Sequence, residues 1–119
     1  MQFRKRLLTV LLATASASSL QAGDNEAGSL LLYPDWLAVT GHISLLTVTN
    51  TNATEDVAVE FIYIESETCL EFNQTTELTP LDTYTVASFY HNPNQGNGYV
   101  YAFAKDSGAG EPISFNYLV

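Results

Sequence analysis

Few side chains in this 119-residue chain could carry out covalent or metal chemistry. There is one cysteine, Cys69, and there are two histidines, His42 and His91. A single thiol cannot form an internal disulfide or a four-cysteine zinc site. We expect Cys69 to be buried at the start of a strand, because free cysteine often behaves as a small hydrophobe. An intermolecular disulfide and a catalytic nucleophile are the alternatives for this thiol.

Two histidines and two glutamates could together build a transition-metal site. Imidazole and carboxylate groups can bind zinc, and the loops that carry these residues would gather at one end of an antiparallel β-sandwich. The four residues are His42, His91, Glu65 and Glu67. Their sequence context is not typical of a Cys-His enzyme, so loop histidines that share no ligand are the simpler interpretation.

Oxygen-bearing side chains predict a second metal site, for calcium, at the opposite end of such a sandwich. Two loops would meet there, and calcium prefers several hard oxygen ligands. The candidate ligands are Asn50, Asn52, Glu55, Asp56, Asp106 and Glu111. No regularly spaced calcium-loop motif supports the site, so a solvated acidic loop is the simpler interpretation. We expect no other cofactor.

The N-terminal residues have the three-part layout of a secretory signal peptide. Arg4, Lys5 and Arg6 precede an uncharged stretch, and a small residue, Ala22, ends the segment. This pattern predicts a signal-peptide helix within residues 1–22, followed by a flexible leader at residues 23–28. The strongly apolar part is shorter than the ~20 residues that a membrane span needs. We therefore expect a secreted, periplasmic or cell-surface protein that has no membrane segment after cleavage.

The charge balance excludes one class of partner. Removing residues 1–22 takes three of the four cations and none of the thirteen acids, which leaves a net charge of −12 with Lys105 as the one basic residue. Such a surface repels phosphates, so we expect no binding to nucleic acid. Cations and cationic partners are favoured instead, although solubility alone can explain the acidity.

The secondary structure that positions these residues is predicted to consist of short β-strands. Alternation of apolar and polar residues, with turn-forming residues between the runs, predicts seven strands and at most a turn or two of helix, near residues 34–37. The clearest strand is residues 57–64, and Tyr99 and Tyr101 are expected on one sheet face as cross-strand or core packing rather than as a sugar platform. The predicted strands are residues 29–33, 43–49, 57–64, 69–73, 83–89, 98–104 and 113–119.

Residues 46–106 resemble bacterial extracellular immunoglobulin-like modules. The resemblance rests on LTVTNTNATEDVAVEF, LTPLDTYTV and GYVYAFAKD, and it extends to small secreted bacterial proteins of unassigned activity. It implies an all-β fold, a single antiparallel immunoglobulin-like sandwich of about seven strands over residues 29–119. The chain lacks the paired cysteines of antibody domains, so no inter-sheet disulfide is expected.

Together these observations favour a non-catalytic module for binding, adhesion or structural spacing, with a protein partner or surface assembly at a sheet edge or loop. A small secreted metal-dependent or Cys/His hydrolase is the alternative. Because residues 113–119 are apolar to the last position, we also expect that the sequence could be the N-terminal part of a longer protein.

Overall fold

Antiparallel strands form most of the part of the chain that can be described. The computed structural model describes residues 27–94, 96–106 and 108–119; the predicted signal peptide and most of the predicted leader lie outside the described residues. The strands are β1 Leu30–Val39, β2 His42–Ile43, β3 Leu45–Thr49, β4 Val57–Glu65, β5 Glu71–Leu78, β6 Thr83–Ala87 and β7 Gly96–Lys105, and the helix α1 is Ser88–His91. No helix within these ranges has the length and apolar character needed to cross a membrane.

The strands belong to two sheets. The larger has the order β2-β1-β7-β4-β5, and the smaller pairs β3 with β6. Every pairing is antiparallel. Ala58 pairs with Lys105, and Glu65 pairs with Gly98. The loops that follow β4 and precede β7 therefore lie at one end of the larger sheet, and the loops at the other ends of these strands lie opposite.

One core lies between the two sheets. Phe61 and Tyr63 from β4 pack with Trp36 from β1 and with Leu46 and Val48 from β3. These five side chains are at most 3% exposed. On β7 the core-facing residues are small, which leaves space for these aromatic rings; they are Val100, Ala102 and Ala104. The all-β prediction is confirmed by this arrangement of antiparallel sheets.

Four local predictions are wrong. Residues 88–89, predicted as the end of a strand, begin α1 instead. The predicted strand at residues 43–49 is divided between β2 of the larger sheet and β3 of the smaller. Residues 34–37 form no helix; they continue β1, and a change in register between Tyr33 and Trp36 accommodates Pro34 within the strand. Residues 113–119 form no regular strand either, since only isolated bridges such as those of Leu118 with Gly28 and Asn50 hold this segment. Its apolar character reflects the burial of Phe115 and Leu118 rather than a ladder of strand pairs.

Gly98 lies where two backbones come very close. A Cβ atom at this position would collide with the carbonyl oxygen of Ile64 and would lie 3.1 Å from the amide nitrogen of Ser66. The φ angle of Gly98 is +158°, which is also a conformation that other residues rarely adopt. The close approach of β7 to β4 therefore requires glycine here.

We expect Gly98→Ala to lower the free energy of unfolding by at least about 2 kcal/mol, because the added methyl group must push β7 away from β4. Urea denaturation measures the change. Gly28→Ala is the matched control, because a Cβ there meets its nearest neighbour at an ordinary 3.5 Å and should change the free energy by less than about 0.5 kcal/mol. Equal effects of the two substitutions would contradict this explanation.

Candidate functional site

A cavity of about 410 Å³ lies at the end of the larger sheet where β4 turns into β5. Strands β1, β4 and β5, the β4–β5 turn and the segment after α1 contribute its walls. Its lining comprises three aromatic rings, three carboxylates, two carboxamides, one hydroxyl and one leucine: Trp36, Tyr63, Phe72, Glu65, Glu67, Glu71, Asn92, Asn94, Thr68 and Leu70. Cavities of about 300–1,000 Å³ are the usual size of small-ligand sites.

The floor of the cavity is aromatic and rigid. Trp36 and Tyr63 meet edge to face, with their ring centroids 5.3 Å apart, and the Phe72 ring lies 6.3 Å from that of Tyr63. The indole nitrogen of Trp36 donates a hydrogen bond to the carbonyl oxygen of Ile64 at 3.4 Å. Because both Trp36 and Tyr63 are 1% exposed, these rings have little freedom to move when a ligand enters.

The rim of the cavity is acidic and is organised by Glu65. One oxygen of the Glu65 carboxylate accepts hydrogen bonds from the backbone amides of Glu67 at 3.0 Å and Thr68 at 2.6 Å. The Thr68 hydroxyl donates to the same oxygen. This hydroxyl, followed by the backbone amides, lowers the pKa of the Glu65 carboxyl from its ordinary value, because each bond favours the charged form. Glu65 therefore stays ionised while it holds the turn that carries Glu67.

Cys69 is exposed at this same turn, so the prediction of a core cysteine is wrong. The β4–β5 hairpin closes through a hydrogen bond from the Glu65 amide to the Leu70 carbonyl, and the Cys69 amide donates to the Glu65 carbonyl. Cys69 has a φ angle of 57°, which belongs to a tight turn rather than to a strand. Strand β5 begins only at Glu71, after the turn has placed the thiol in solvent.

His91 lies in the core, close to the aromatic floor. Its Nδ1 atom is 2.6 Å from the hydroxyl oxygen of Tyr63, and the rings of Phe61, Tyr63 and Tyr84 lie within 5.8 Å. Burial lowers the pKa of His91 and raises the pKa of the Tyr63 phenol, so both groups are neutral near pH 7. Two neutral groups therefore share this hydrogen bond, and the tautomer of His91 decides which of them donates.

The four residues of the hypothetical zinc site are not brought together. His42 is exposed on β2, at one edge of the larger sheet. Glu65 ends β4, three strand spacings or about 14 Å away across the sheet. The Nδ1 atom of His91 is already bonded to Tyr63. Across the ranges that the structure describes, no three His, Cys, Asp or Glu side chains are grouped closely enough to hold a metal ion.

Asn50 and Asn52, two of the expected calcium ligands, organise their own loop. The Asn50 amide group donates to the carbonyl oxygens of Glu55 at 2.8 Å and Thr79 at 3.0 Å, and its carbonyl oxygen accepts from the Asn52 amide. The side-chain carbonyl oxygen of Asn52 accepts hydrogen bonds from the amide and hydroxyl of Thr54 and from the amide of Glu55. Both side chains are buried, and their bonds fix the turn between β3 and β4.

The loops that carry the other expected calcium ligands lie at this same end of the larger sheet. Because Ala58 pairs with Lys105, the loop that contains Asp56 and the loop that begins at Asp106 lie on the same side of the molecule. Asp106 caps its own loop through bonds from the amides of Gly108 and Ala109, and its own amide donates to the Glu111 carbonyl. Calcium binding at this end stays a prediction.

The cavity could not be found from sequence spacing. Glu65 and Glu67 were candidates for a different site, and the aromatic floor comes from residues 36, 63 and 72 on three different strands. The one signal available was that Trp36 is the single tryptophan of the chain.

Comparison of the chain with protein-family models, curated proteins and solved structures finds no match. The resemblance to immunoglobulin-like bacterial modules therefore stays a prediction.

We expect the stability of the protein to fall as the pH decreases from about 7.5 to 5.5. Burial depresses the pKa of folded His91, so below about pH 6.5 the unfolded chain binds a proton that the folded chain does not. One such proton gives a slope of up to about 1.4 kcal/mol per pH unit. Urea denaturation over this pH range measures it. His91→Phe should flatten the slope, whereas the same substitution at exposed His42 should not; a slope unchanged by His91→Phe would contradict the assignment.

We expect Asn50→Ala to lower the free energy of unfolding by about 2–4 kcal/mol, because three backbone groups lose their buried partner. Urea denaturation in the presence of a chelator measures the loss. Asn73→Ala, at an exposed position on β5, is the control and should cost less than about 0.5 kcal/mol. A similarly small effect at Asn50 would show that its hydrogen bonds are unimportant.

Thermal melting with and without calcium tests the calcium prediction. If the loops at this end bind calcium, melting curves recorded with millimolar calcium should lie several degrees above those recorded with chelator, because a ligand of the folded state raises its stability. Superimposable curves would contradict the calcium site. Asn50→Ala should destabilise the protein in either buffer, which separates the structural role of this residue from metal binding.

Proposed function

We propose that this chain is a non-catalytic binding module that works outside the cytoplasm, in a secreted, periplasmic or cell-surface location. The signal-peptide pattern of residues 1–22 supports export. Antiparallel strands with loops at both ends support a binding role, because loops held by a rigid scaffold are where binding residues concentrate. The cavity lined by Trp36 and Glu67 is the ligand site in this proposal.

An immunoglobulin-like sandwich is the architecture that we propose for the module. Strands β3 and β4 follow one another in sequence but belong to different sheets, and so do β5 and β6. Connections that cross between two antiparallel sheets in this way are typical of sandwiches with Greek-key topology. The core shared by the two sheets is consistent with face-to-face packing.

The ligand that fits the cavity is a cationic group on a short apolar stem. Glu65 and Glu67 give the cavity an acidic rim beside its aromatic floor, and no lysine or arginine of the described residues contributes to the lining. A protonated amine or guanidinium gains from the carboxylates, while its methylene groups gain by covering the half-buried Phe72 ring. This combination of acidic rim and aromatic floor is the observation that carries the proposal.

A lysine or arginine side chain of a partner protein matches these requirements in size and charge. The described residues contain eleven acids and a single cation, Lys105, which lies near the opposite end of β7 from the cavity. Long-range attraction would therefore draw basic partners toward the module, and the cavity would capture one side chain. Binding should weaken as the salt concentration rises.

We expect the full chain to bind Nα-acetyl-lysine amide with a dissociation constant of about 0.1–5 mM, a range typical of one small cationic group. Isothermal titration calorimetry, together with the fluorescence of Trp36, measures binding. Acetyl-norleucine amide, which has a similar stem without the charge, should bind at least about tenfold more weakly, because it gains nothing from the carboxylates.

Charge removal at the rim should weaken binding of the lysine probe. We expect Glu67→Gln to raise the dissociation constant about two- to fivefold, the range for a partly exposed ion pair. Glu77→Gln is the matched control, since Glu77 lies near the other end of β5 and should leave the constant unchanged. Equal binding of the lysine and norleucine probes, or equal effects at positions 67 and 77, would contradict a cationic-ligand site.

A further inference from the structure

The outer face of the larger sheet carries a row of apolar side chains that point away from the core. On β7 the core-facing residues alternate with Tyr99, Tyr101 and Phe103, which must lie on the opposite face because strand side chains alternate. In register with them, Leu30 pairs with Phe103 and Leu32 pairs with Tyr101 on β1. We call these five residues, together with Ile64 of β4, the outer strip.

The outer strip is continuous across three strands and is most exposed on β1, whereas Ile62 of β4 is 4% exposed. Tyr99 pairs with Ile64, and Tyr101 pairs with Ile62, which places apolar side chains side by side over β1, β7 and β4. The rings of Tyr101 and Phe103 stack with centroids 6.4 Å apart. Leu30 is 63% exposed, Leu32 65% and Tyr99 43%. The smaller sheet packs on the other side, against the core.

Charge distinguishes this face from the rest of a strongly acidic protein. Lys105, the only cation among the described residues, lies on the outer face and is 2.9 Å from the Glu60 carboxylate of β4. This ion pair leaves β1 and β7, which carry five of the six residues of the outer strip, without net charge on this face. Glu71 and Glu77 lie on the outer face of β5. Glu71 pairs with Ile64 of the strip, and burial followed by the charge of Glu71 raises the pKa of the Tyr101 phenol. The β1–β7 part of the outer face is therefore neutral, whereas its β5 margin is acidic.

We propose that the outer strip pairs with the outer strip of a second copy of this chain, forming a symmetric dimer. Two copies of an acidic protein repel one another, so they can approach only through a face that is neutral and apolar. A two-fold axis near β1 and β7 stacks the apolar strands and leaves the carboxylates of β5 at the rim, in solvent. Nucleic acid and anionic membrane surfaces are disfavoured as occupants because the margin and the rest of the chain are acidic.

The size of the face sets the strength of the dimer. The three strands that carry the outer strip have nine or ten residues each, which corresponds to about 450 Å² per copy at usual strand spacing and rise. That area is typical of weak, transient interfaces rather than of stable ones. The dimer should therefore be reversible, with a dissociation constant between about 10 and 500 µM. The cavity lies at the β4–β5 turn, so dimerisation does not depend on ligand binding.

Analytical ultracentrifugation of the full chain between about 5 and 1,000 µM tests the proposal. We expect a monomer–dimer equilibrium that strengthens when sodium chloride is raised from about 0.05 to 0.5 M, because salt screens the repulsion between acidic copies. Leu32→Thr should weaken the dimer at least about tenfold. Leu45→Thr is the matched control, an equally exposed strand leucine of the smaller sheet at 68%, and should leave the constant unchanged.

A charge-swap pair tests the neutral face independently of apolar contacts. Lys105→Glu should abolish association, because it places uncompensated carboxylates on the outer face. Combining Lys105→Glu with Glu60→Lys restores an ion pair between the two strands and should return the dissociation constant to within about threefold of that of the original chain. Circular-dichroism melting confirms that each variant is folded before it is compared.

The proposal is overturned if the chain is monomeric at about 1,000 µM, or if Leu32→Thr and Leu45→Thr weaken association equally. It is also overturned if the charge swap fails to restore a dimer in a folded protein. A monomer that retains exposed apolar residues on this face would point to a different occupant. The lysine-probe titration reports on the cavity alone, so failure of either proposal is distinguishable from failure of the other.

Discussion

Strand β7 lies between β1 and β4, and its pairing on both edges determines how the rest of the molecule is arranged. With both edges bonded, its side chains must alternate between two faces. Small residues such as Ala102 face the core and give space to the aromatic rings of β1 and β4, whereas Tyr101 and Phe103 face outward. The pairing requires glycine at position 98, because the backbone of Ile64 approaches too closely for any side chain.

The cavity and the outer strip differ in their charge. At the cavity, hydrogen bonds to Glu65 order the turn that carries Glu67. The negative charge of this turn favours a cationic ligand. On the outer face, the pairing of Lys105 with Glu60 removes net charge from an apolar area. In the two proposals, the first surface therefore attracts unlike charge and the second associates with a copy of itself.

Alternation and turn residues predicted most of the strands, because these signals act over a few neighbouring residues. Strand β4 agrees with its prediction to within one residue. The errors have non-local causes. Residues 113–119 have a strand-like composition but are held by bridges from Leu118 to two distant segments. Cys69 is apolar enough for a core, yet the hydrogen bonds that close the Glu65–Leu70 turn place it in solvent.

By itself, the sequence determined an antiparallel all-β protein, its acidity and the approximate places of most of its strands, because residue spacing and charge are properties of the chain. Only the tertiary structure decided which strands are neighbours. Pairing joins residues as far apart as Leu30 and Phe103, and many alternative pairings would satisfy the same alternation. The cavity and the outer strip are both products of that pairing, so neither the floor formed by Trp36 and Tyr63 nor the neutral outer face could be located before the order of the strands was known.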